Sequence, residues 1–473
     1  MSSVEPASVR AAKRRELESD AARRAIAQTE PRALRTYTPT LAVFERSAGC
    51  YHYTPEGAKL ADFTSGVLVA NLGHNPTRWW RRVYQYLGHE SALLAGKQSQ
   101  NDLQEGVDDE FFAAVPLTAY NAVTPLEAEA CRRLIASLQS LSGGNRLEQV
   151  VWAASGSEGV IKGLRTALAQ DPSRQVILAT RHGFHGKKGL AGAVTGSERD
   201  AERDPRVRFI SFPREECYSI QKRREPLDLA PYIAELKQLH AELGDQICCV
   251  ITEPYLGGGG SYHPQPEYLQ LLQQFCRDND LLFILDEVQS NFGRTGALYA
   301  FAEYGIEPDM VVLGKGMGNG IPVDAVVGRA ELFDKLHYGE VSDTWSGHPL
   351  GCAAVLATLD EFEQTNVLEH ARQLSKVFEA GLQRLTETAA VAAIRGEGNV
   401  WGVQCAPLPG RTSNEVACSI VRACYDGDEA GRAIHLLGPL AGDVIRIAPP
   451  LVMALDEAES YLDAMYAIVD RIA

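Results

Sequence analysis

The sequence predicts an α/β fold: a large domain built on a mostly parallel, doubly wound sheet of seven strands, with a smaller α+β domain. Continuous apolar runs recur through the middle of the chain, segments of helical periodicity separate several of them, and this rhythm changes after about residue 345. Apolar runs without alternation are typical of strands that are buried on both faces. Helices between such strands indicate a parallel sheet that helices cover on both sides.

Seven apolar runs are the candidate strands of the large sheet. In chain order they are 148–153 (EQVVWA), 175–180 (QVILAT), 206–211 (RVRFIS), 247–252 (ICCVIT), 281–286 (LLFILD), 308–313 (PDMVVL) and 323–328 (VDAVVG). After the first run, Val160, Ile161, Leu164 and Leu168 form an apolar stripe at helical spacing. This pattern predicts a strand followed by a helix, the unit that parallel sheets repeat.

The smaller domain is predicted from the end of the chain. A helical stretch covers roughly 346–390, and short strand candidates follow at 400–404 (VWGVQ) and 444–450 (VIRIAPP). Residues 58–72 (AKLADFTSGVLVANL) predict a short strand and a turn that pack on the same domain. The predicted parts are residues 1–80 as an N-terminal segment (an arm plus part of the small domain), 81–345 as the large domain and 346–473 as the C-terminal small domain.

Composition and charge argue against several classes of function. The formal net charge of −15 argues against a nucleic-acid partner, because the phosphate backbone would repel the protein. No apolar run approaches the roughly 20 residues that a membrane helix needs. The ten cysteines include no C-x-x-C pair, which favours a reducing, cytoplasmic setting without disulfides or a metal site. The acids Glu16, Glu18 and Asp20 within the Arg-rich segment 10–35 argue against a mitochondrial presequence.

Two charged residues lie at the carboxyl ends of two strand candidates that are consecutive along the chain. Asp286 ends one run, and Lys315 follows the next run between Gly314 and Gly316. The carboxyl ends of parallel strands form the edge at which open α/β sheets bind ligands. Glycine lets a ligand approach the backbone closely, and burial lowers the pKa of an amine so that it can attack an aldehyde. We therefore expect a ligand that uses both the carboxylate and the amine.

A third feature is the segment 150–164 (VVWAASGSEGVIKGL), which predicts a strand, a turn of small residues and a helix. Ser155 and Glu158 have the spacing of a capping box, and Gly156 and Ser157 open the helix. The free N–H groups and the dipole at a helix N-terminus bind phosphate. Taken alone, an ordinary helix cap is the commoner explanation of this segment.

The string ILDE at 284–287 also fits the magnesium-binding strand of a nucleotide hydrolase. That function requires a G-x-x-x-x-G-K-[ST] loop, and the sequence contains none. A lysine that forms a Schiff base, a carboxylate that keeps a pyridinium protonated and a helix start that holds a phosphate are instead the groups that bind pyridoxal 5′-phosphate. The sequence contains all three.

At this point the chain resembles the class III aminotransferases, the ω-amino-acid and diamine transaminase group of fold-type I pyridoxal-phosphate enzymes. The resemblance extends from about residue 40 to the C-terminus. Its motifs are NLGHNP (71–76), SGSEG (155–159), FHGK (184–187), EPYLGGGG (253–260), LDEVQSNFGRTG (285–296), LGKGMGNGIP (313–322), DTWSGHPLGCAA (343–354) and VIRIAPPL (444–451).

The resemblance implies a role for each residue that would contact the cofactor ring. Lys315 would bond the cofactor and shuttle a proton, and Asp286 would keep the ring nitrogen protonated. Val288 and Phe184 would pack on the two ring faces, and Gln289 would reach the ring hydroxyl.

The resemblance also implies residues around the phosphate. Gly156 and Ser157 would hold it, and Thr344 would reach it from the neighbouring subunit of a homodimer, with a dimer of dimers as a further possibility. His185 falls among the cofactor-binding positions, although a structural role is the simpler interpretation of both His185 and His348.

Four residues are candidates for the substrate side. The resemblance implies that Glu253 and Arg446 form a gate, in which Arg446 binds the α-carboxylate of a 2-oxo acid when Glu253 moves away. Lys187 stands where many members of the group have a carboxylate-clamping arginine, and lysine is only a point charge. Together with Val67 near the donor pocket, it favours a diamine or another donor without a clamped distal carboxylate.

The predicted function is amino transfer from an ω-amino acid, diamine or similar primary amine to 2-oxoglutarate or pyruvate by a ping-pong mechanism. The alternative is other pyridoxal-phosphate chemistry on the same scaffold, such as that of an aminomutase, racemase or decarboxylase. The pair of Glu253 and Arg446 favours the first, because a gate serves two alternating substrates.

Overall fold

The computed structural model describes residues 16–34, 36–89, 113–120, 122–200, 203–439 and 441–472. Within these residues all seven predicted strands of the large sheet are present. The strands are β1 (Arg46–Ala48), β2 (Tyr51–Tyr53), β3 (Lys59–Asp62), β4 (Gln149–Ala153), β5 (Val176–Thr180), β6 (Val207–Ile210), β7 (Ile247–Thr252), β8 (Leu282–Asp286), β9 (Met310–Leu313), β10 (Asp324–Gly328), β11 (Val391–Glu397), β12 (Val400–Cys405), β13 (Ala433–His435) and β14 (Val444–Ile447).

Helices separate most of these strands. They are α1 (Leu17–Thr29), α2 (Ser65–Leu68), α3 (Thr77–Leu87), α4 (Pro125–Gln139), α5 (Gly156–Leu168), α6 (Gly189–Ala193), α7 (Ile220–Arg223), α8 (Ala230–Leu243), α9 (Pro266–Asp278), α10 (Ala300–Tyr304), α11 (Ala330–Phe333), α12 (Pro349–Gln364), α13 (Val367–Gln383), α14 (Ser413–Asp426) and α15 (Leu455–Asp470). Among the helices of the described residues, none is long and apolar enough to cross a bilayer.

The large sheet has the strand order β4-β10-β9-β8-β7-β5-β6. The pairs from β9 to β6 are parallel, whereas β10 is antiparallel to both β9 and β4. The prediction of a mostly parallel α/β sheet is therefore confirmed. Buried helix side chains pack on both faces, with Val160 and Leu164 of α5 on one side and Leu269 and Leu272 of α9 on the other.

The two smaller sheets complete the fold. β11, β12 and β14 form one sheet, and β1, β2, β3 and β13 form the other. The strand predicted in 58–72 is β3, and it pairs with β13 from the C-terminal part of the chain. The stretch predicted as helical over 346–390 is two helices, α12 and α13, and buried side chains of α12 share the core of the large sheet. The domain boundaries at residues 80 and 345 stay a prediction.

The register of the parallel strands determines which side chains meet at the sheet edge. Thr252 lies opposite Leu285, and Asp286 lies opposite Val312. Glu253, Asp286 and Lys315 consequently leave their strands at nearly the same level. Because β10 runs the other way, its first residue, Asp324, lies at this edge as well, opposite Ala153 of β4.

Candidate active site

A cavity of about 380 Å³ opens at the carboxyl edge of the large sheet. Most of the residues that the sequence analysis assigned to a cofactor line it. These are Gly156, Ser157, Phe184, His185, Asp286, Val288, Gln289 and Lys315. Glu253, predicted for the substrate side, lines the cavity as well.

Lys315 is the first residue of a short 3₁₀ turn, Lys315–Met317, that follows β9. Its φ of 46° is in the left-handed region, which is costly for a residue with a side chain. Its two glycine neighbours are needed for close packing, since a Cβ on Gly316 would lie 2.3 Å from Asn71 Nδ2 and one on Gly314 would lie 1.8 Å from Asp324 Oδ1. Burial lowers the pKa of the Lys315 amine, and the nearby charge of Asp286 opposes that shift. The turn therefore presents a fixed amine that loses its proton more readily than a surface lysine.

Asp286 is held by two hydrogen bonds at the end of β8. Its Oδ2 lies 2.7 Å from His185 Nδ1, and its Oδ1 accepts from the Val288 N–H at 3.0 Å. Burial alone would lower the pKa of His185, but the hydrogen bond and charge of Asp286, with the charge of Glu253, raise it. These contacts fix the position of the Asp286 carboxyl group, which lines the cavity.

The N-terminus of α5 forms one wall of the cavity. Ser155 is the N-cap, as the spacing predicts, and its Oγ accepts from the Glu158 N–H at 3.4 Å. The chain approaches this turn closely, because a Cβ on Gly186 would lie 2.4 Å from Ser157 Oγ. The first N–H groups of α5, with the Ser157 hydroxyl, are thus available to an anion at a position where the helix dipole favours one.

Glu253 and Arg446 lie near each other but make no direct ion pair within 4.0 Å. Glu253 accepts from the N–H groups of Phe184 at 2.8 Å and Gly257 at 3.1 Å, and burial raises its pKa to about 7. Arg446 donates to the Gly257 carbonyl at 3.4 Å, its Nε has no hydrogen-bond partner, and burial lowers its pKa. Both residues are therefore buried and contact the same glycine-rich turn, and their action as a gate stays a prediction.

Four of the predicted site residues, Arg446 among them, lie outside the lining of the cavity. Val67 is 41% exposed, and Lys187 and Thr344 are exposed as well. Val69, two residues after Val67, lines the cavity in its place. His348 is the N-cap of α12 and accepts from the Gly351 N–H at 3.1 Å.

The chain is similar to known proteins over most of its length. The family model described as Aminotransferase class-III matches residues 109–469. The chain belongs to the class III aminotransferases. The acetylornithine aminotransferase of Gloeobacter violaceus is 29% identical, with 93% of this chain and 96% of the relative covered. The 4-aminobutyrate aminotransferase of Mycobacterium leprae is 27% identical, with 91% of each chain covered. A PLP-bound amine transaminase from an uncultivated Pseudomonas species has a TM-score of 0.76 and 25% identity, with 94% of this chain and 96% of that chain covered.

The cavity of this aminotransferase fits its cofactor, pyridoxal 5′-phosphate. Three buried polar atoms around it have no hydrogen-bond partner in the protein, namely His185 Nε2, Gln289 Oε1 and Asp324 Oδ1. Buried polar atoms are rarely left unpaired unless a ligand or water meets them. The Lys315 amine, the Asp286 carboxylate and the N-terminus of α5 all line this cavity, as a molecule with an aldehyde, a ring nitrogen and a phosphate requires.

Asp324 also lines the cavity of this aminotransferase, and the sequence pattern does not point to it. It was included only in a strand candidate, where an acid at the first position has no evident role. Since β10 is antiparallel to its neighbours, the start of this strand, rather than its end, lies at the active-site edge. The direction of β10 could not be obtained from its apolar pattern.

Proposed function

We propose that Lys315 and Asp286 are the catalytic pair of this class III aminotransferase. Lys315 Nζ would hold the cofactor aldehyde and would take the proton from the carbon that carries the donor amine. Asp286 pairs with the ring nitrogen and keeps it protonated. The observation that carries this assignment is the placement of both groups in one cavity at the sheet edge, with the N-terminus of α5 on a third side.

The bound cofactor supplies an aldehyde that exchanges amino groups and a ring that accepts electrons. Asp286 strengthens the electron-accepting character through its charge. An ion pair at about 4 Å and an effective dielectric constant near 20 is worth on the order of 4 kcal/mol. If it acts fully in the transition state, the proton transfer to Lys315 is faster by about a thousandfold. His185 supports this charge by its 2.7 Å contact with Asp286.

The remaining lining residues position the cofactor in this proposal. Val288 packs on one ring face and Phe184 on the other, and the side-chain amide of Gln289 pairs with the ring hydroxyl. Gly156 and Ser157 bind the phosphate at the start of α5. The unpaired Oε1 of Gln289 supports its part, since the side chain is held against Gly257, where a Cβ would lie 1.9 Å from that oxygen.

We infer that the donor is a diamine or another primary amine without a clamped distal carboxylate. The support is the charge of the cavity: among the described residues that line it, Lys315 is the sole lysine or arginine. Arg446, which contacts the turn that also holds Glu253, would bind the carboxylate of the 2-oxo acid once Glu253 swings away. Glu253 is suited to that movement because its raised pKa allows it to become neutral near pH 7.

Absorbance and chemical trapping test the catalytic assignment. The protein incubated with pyridoxal phosphate should show the absorbance of a lysine-bound aldehyde, and borohydride should fix the label on Lys315. Lys315→Ala should abolish both signals, whereas Lys187→Ala, with an exposed lysine, should keep them. Labelling of another side chain would refute the assignment.

A panel of donors tests the substrate inference. Diamines, arylalkylamines, 4-aminobutyrate and N-acetylornithine should be compared, each with pyruvate and with 2-oxoglutarate. Diamines or arylalkylamines should turn over fastest. Faster turnover of 4-aminobutyrate or N-acetylornithine would overturn the donor inference and leave the catalytic pair untouched.

We also propose a homodimer in a reducing, cytoplasmic compartment. Thr344 is exposed on the loop before α12 and would reach the phosphate of the other protomer. Lys162 holds this loop, since its Nζ binds the Asp343 carboxylate and donates to Ser346 Oγ at 2.8 Å. The ten free cysteines support the compartment.

A further inference from the structure

Asp324 is a buried acid for which the catalytic proposal gives no role. It is 5% exposed, lines the cavity and begins β10. Its Oδ1 makes no hydrogen bond within the protein. A buried carboxyl oxygen without a partner is costly, so a group outside the described chain is expected to meet it.

The position of the carboxyl is defined by two glycines and a valine. Asp324 Oδ1 would lie 1.8 Å from a Cβ on Gly314 and 3.5 Å from one on Gly156. Val288 contacts the same space, since its Cγ1 would lie 2.8 Å from the Gly156 Cβ. The carboxyl therefore lies near Gly156, the first residue of α5, whose N-terminus is suited to an anion, and Val288 borders the same space.

The charged groups around Asp324 come from three elements. Burial raises its pKa to about 7, the charge of Lys315 opposes that shift, and the charges of Asp286 at the end of β8 and Glu158 on α5 add to it. β4, the remaining neighbour, presents Ala153 opposite it. No salt bridge or hydrogen bond links Asp324 to any of the three charged groups among the described residues.

We propose that Asp324 is a further residue of the phosphate site and binds the cofactor phosphate as a carboxylic acid, by donating its proton in a hydrogen bond. This inference rests on the proposed function of the cavity. A neutral acid beside α5 adds a donor to a phosphate, whereas an ionised Asp324 repels the phosphate dianion. Binding of the cofactor is then linked to protonation of Asp324 and weakens as that group ionises.

Comparison of two aldehydes on three proteins tests the inference. Wild-type protein, Asp324→Asn and Asp324→Ala are freed of cofactor, and the Kd of pyridoxal phosphate and of pyridoxal is measured by absorbance at about pH 6 and about pH 8.5. Asparagine keeps a donor of nearly the same size and cannot ionise. Pyridoxal has the same aldehyde but no phosphate, so it reports on Lys315 and on folding alone.

The quantity to compare is the ratio of the wild-type Kd to the Asp324→Asn Kd. Lys315 and the phosphate titrate in both proteins, so their effects on Kd cancel in this ratio. For pyridoxal phosphate this ratio should rise about tenfold between the two pH values, because one linked proton changes affinity by up to about tenfold per pH unit. Asp324→Ala should bind the phosphate form about tenfold more weakly than wild type at the lower pH. For pyridoxal all three proteins should agree.

Two results overturn the inference. A ratio that does not change with pH for pyridoxal phosphate shows that Asp324 does not titrate against the phosphate. A change that is equally large for pyridoxal shows that Asp324 acts as the counter-ion of Lys315 instead. If neither aldehyde forms a bond to the wild-type protein, the proposed function fails, and that outcome is distinct from both.

Discussion

At the residue scale, two adjacent buried acids make a matched pair for testing the catalytic role of Asp286. Asp286 faces the cavity, whereas Glu287 accepts from the N–H groups of Ala300 and Phe301, both at 2.7 Å, at the start of α10. Asp286→Asn should lower turnover by about a thousandfold, because the ring nitrogen loses its ionic partner. Glu287→Gln should change turnover by less than about threefold, since burial already raises the pKa of Glu287 to about 7.

Steady-state kinetics with a saturating donor measures this difference, and thermal unfolding accompanies it. Asp286→Asn should retain the lysine-bound absorbance, because Lys315 and α5 are unchanged. A variant that kept more than a tenth of the wild-type turnover would refute the role of Asp286. A fall in both turnover and melting temperature would indicate lost folding rather than lost chemistry.

A second prediction at the residue scale concerns how Glu253 makes the stability of the protein depend on pH. Its folded-state pKa is about 7 against an ordinary value of 4.5, so the folded protein holds this proton over a range in which the unfolded chain has released it. The stability of the cofactor-free protein therefore loses a contribution as pH rises from about 4.5 to about 7. Glu253→Gln removes that loss. It should be more stable than wild type by on the order of 3 kcal/mol at and above about pH 7, and equal to it near pH 4.

Urea unfolding of the two cofactor-free proteins at a series of pH values checks the prediction. The control is Glu129→Gln, which changes an exposed acid on α4 that pairs with Arg132. Its difference from wild type should stay below about 1 kcal/mol at each pH. A Glu253→Gln difference that does not grow between the two limits would contradict the raised pKa.

The site residues show what sequence could provide at this scale. Lys315 and Asp286 were predictable, because a charge at the end of a buried run is unusual and glycine marks the turn. Asp324 was not, since its role depends on the direction of β10. Val69 was missed in favour of Val67 because the backbone there adopts positive φ at both Val67 and Leu68, which reverses which side chain faces the cavity.

At the element scale, Arg294 connects three parts of the chain behind the active-site turn. It is fully buried and donates to Asn71 Oδ1 at 2.7 and 2.9 Å, to Ser65 Oγ at 2.6 Å and to the Pro449 carbonyl at 2.5 Å. Asn71 in turn contacts the Lys315 turn, as the crowding at Gly316 shows. Arg294→Met should lower the free energy of unfolding by about 2–4 kcal/mol, because several buried acceptors lose their donor.

Chemical denaturation measures this loss, and Arg372→Met is the control. Arg372 is exposed and donates to the Gly296 carbonyl at 3.0 Å and to the exposed Glu369 carboxylate at 3.5 Å. Its replacement should cost about 0.5 kcal/mol or less. If Arg294→Met lowered the free energy of unfolding by as little as Arg372→Met, the hydrogen bonds of Arg294 would not be what holds these segments together.

The elements themselves were predictable to different degrees. The seven strands of the large sheet were identified because burial on both faces leaves an unbroken apolar run. The four strands β1, β2, β11 and β13 were not predicted. β11 contains Arg395 and Glu397, and β13 has only three residues and includes His435. Such strands depend on partners that are distant in sequence, as the pairing of β13 with β3 shows. The break between α12 and α13 was missed because Thr365 and Asn366 do not interrupt the apolar spacing strongly.

At the scale of the whole molecule, the proposed homodimer requires that each active site combine residues of two protomers. In one protomer the cavity includes Lys315 and Ser157, while Thr344 lies on an exposed loop outside its lining. If Thr344 acts across the interface, a Lys315→Ala protomer and a Thr344→Ala protomer should complement each other. One site of the mixed dimer would then carry both changes, and the other would carry none.

Co-expression with two different affinity tags and tandem purification isolates the mixed dimer. Its turnover should approach half that of the wild-type dimer, provided that Thr344→Ala alone weakens phosphate binding. The control is a mixed dimer of Lys315→Ala with Asp286→Asn. Both of these residues belong to the same protomer's cavity, so one site loses Lys315, the other loses Asp286, and turnover should stay low. Should the Thr344 pair be no more active than this control, Thr344 would act within its own protomer, and the dimer would not be required to build the phosphate site.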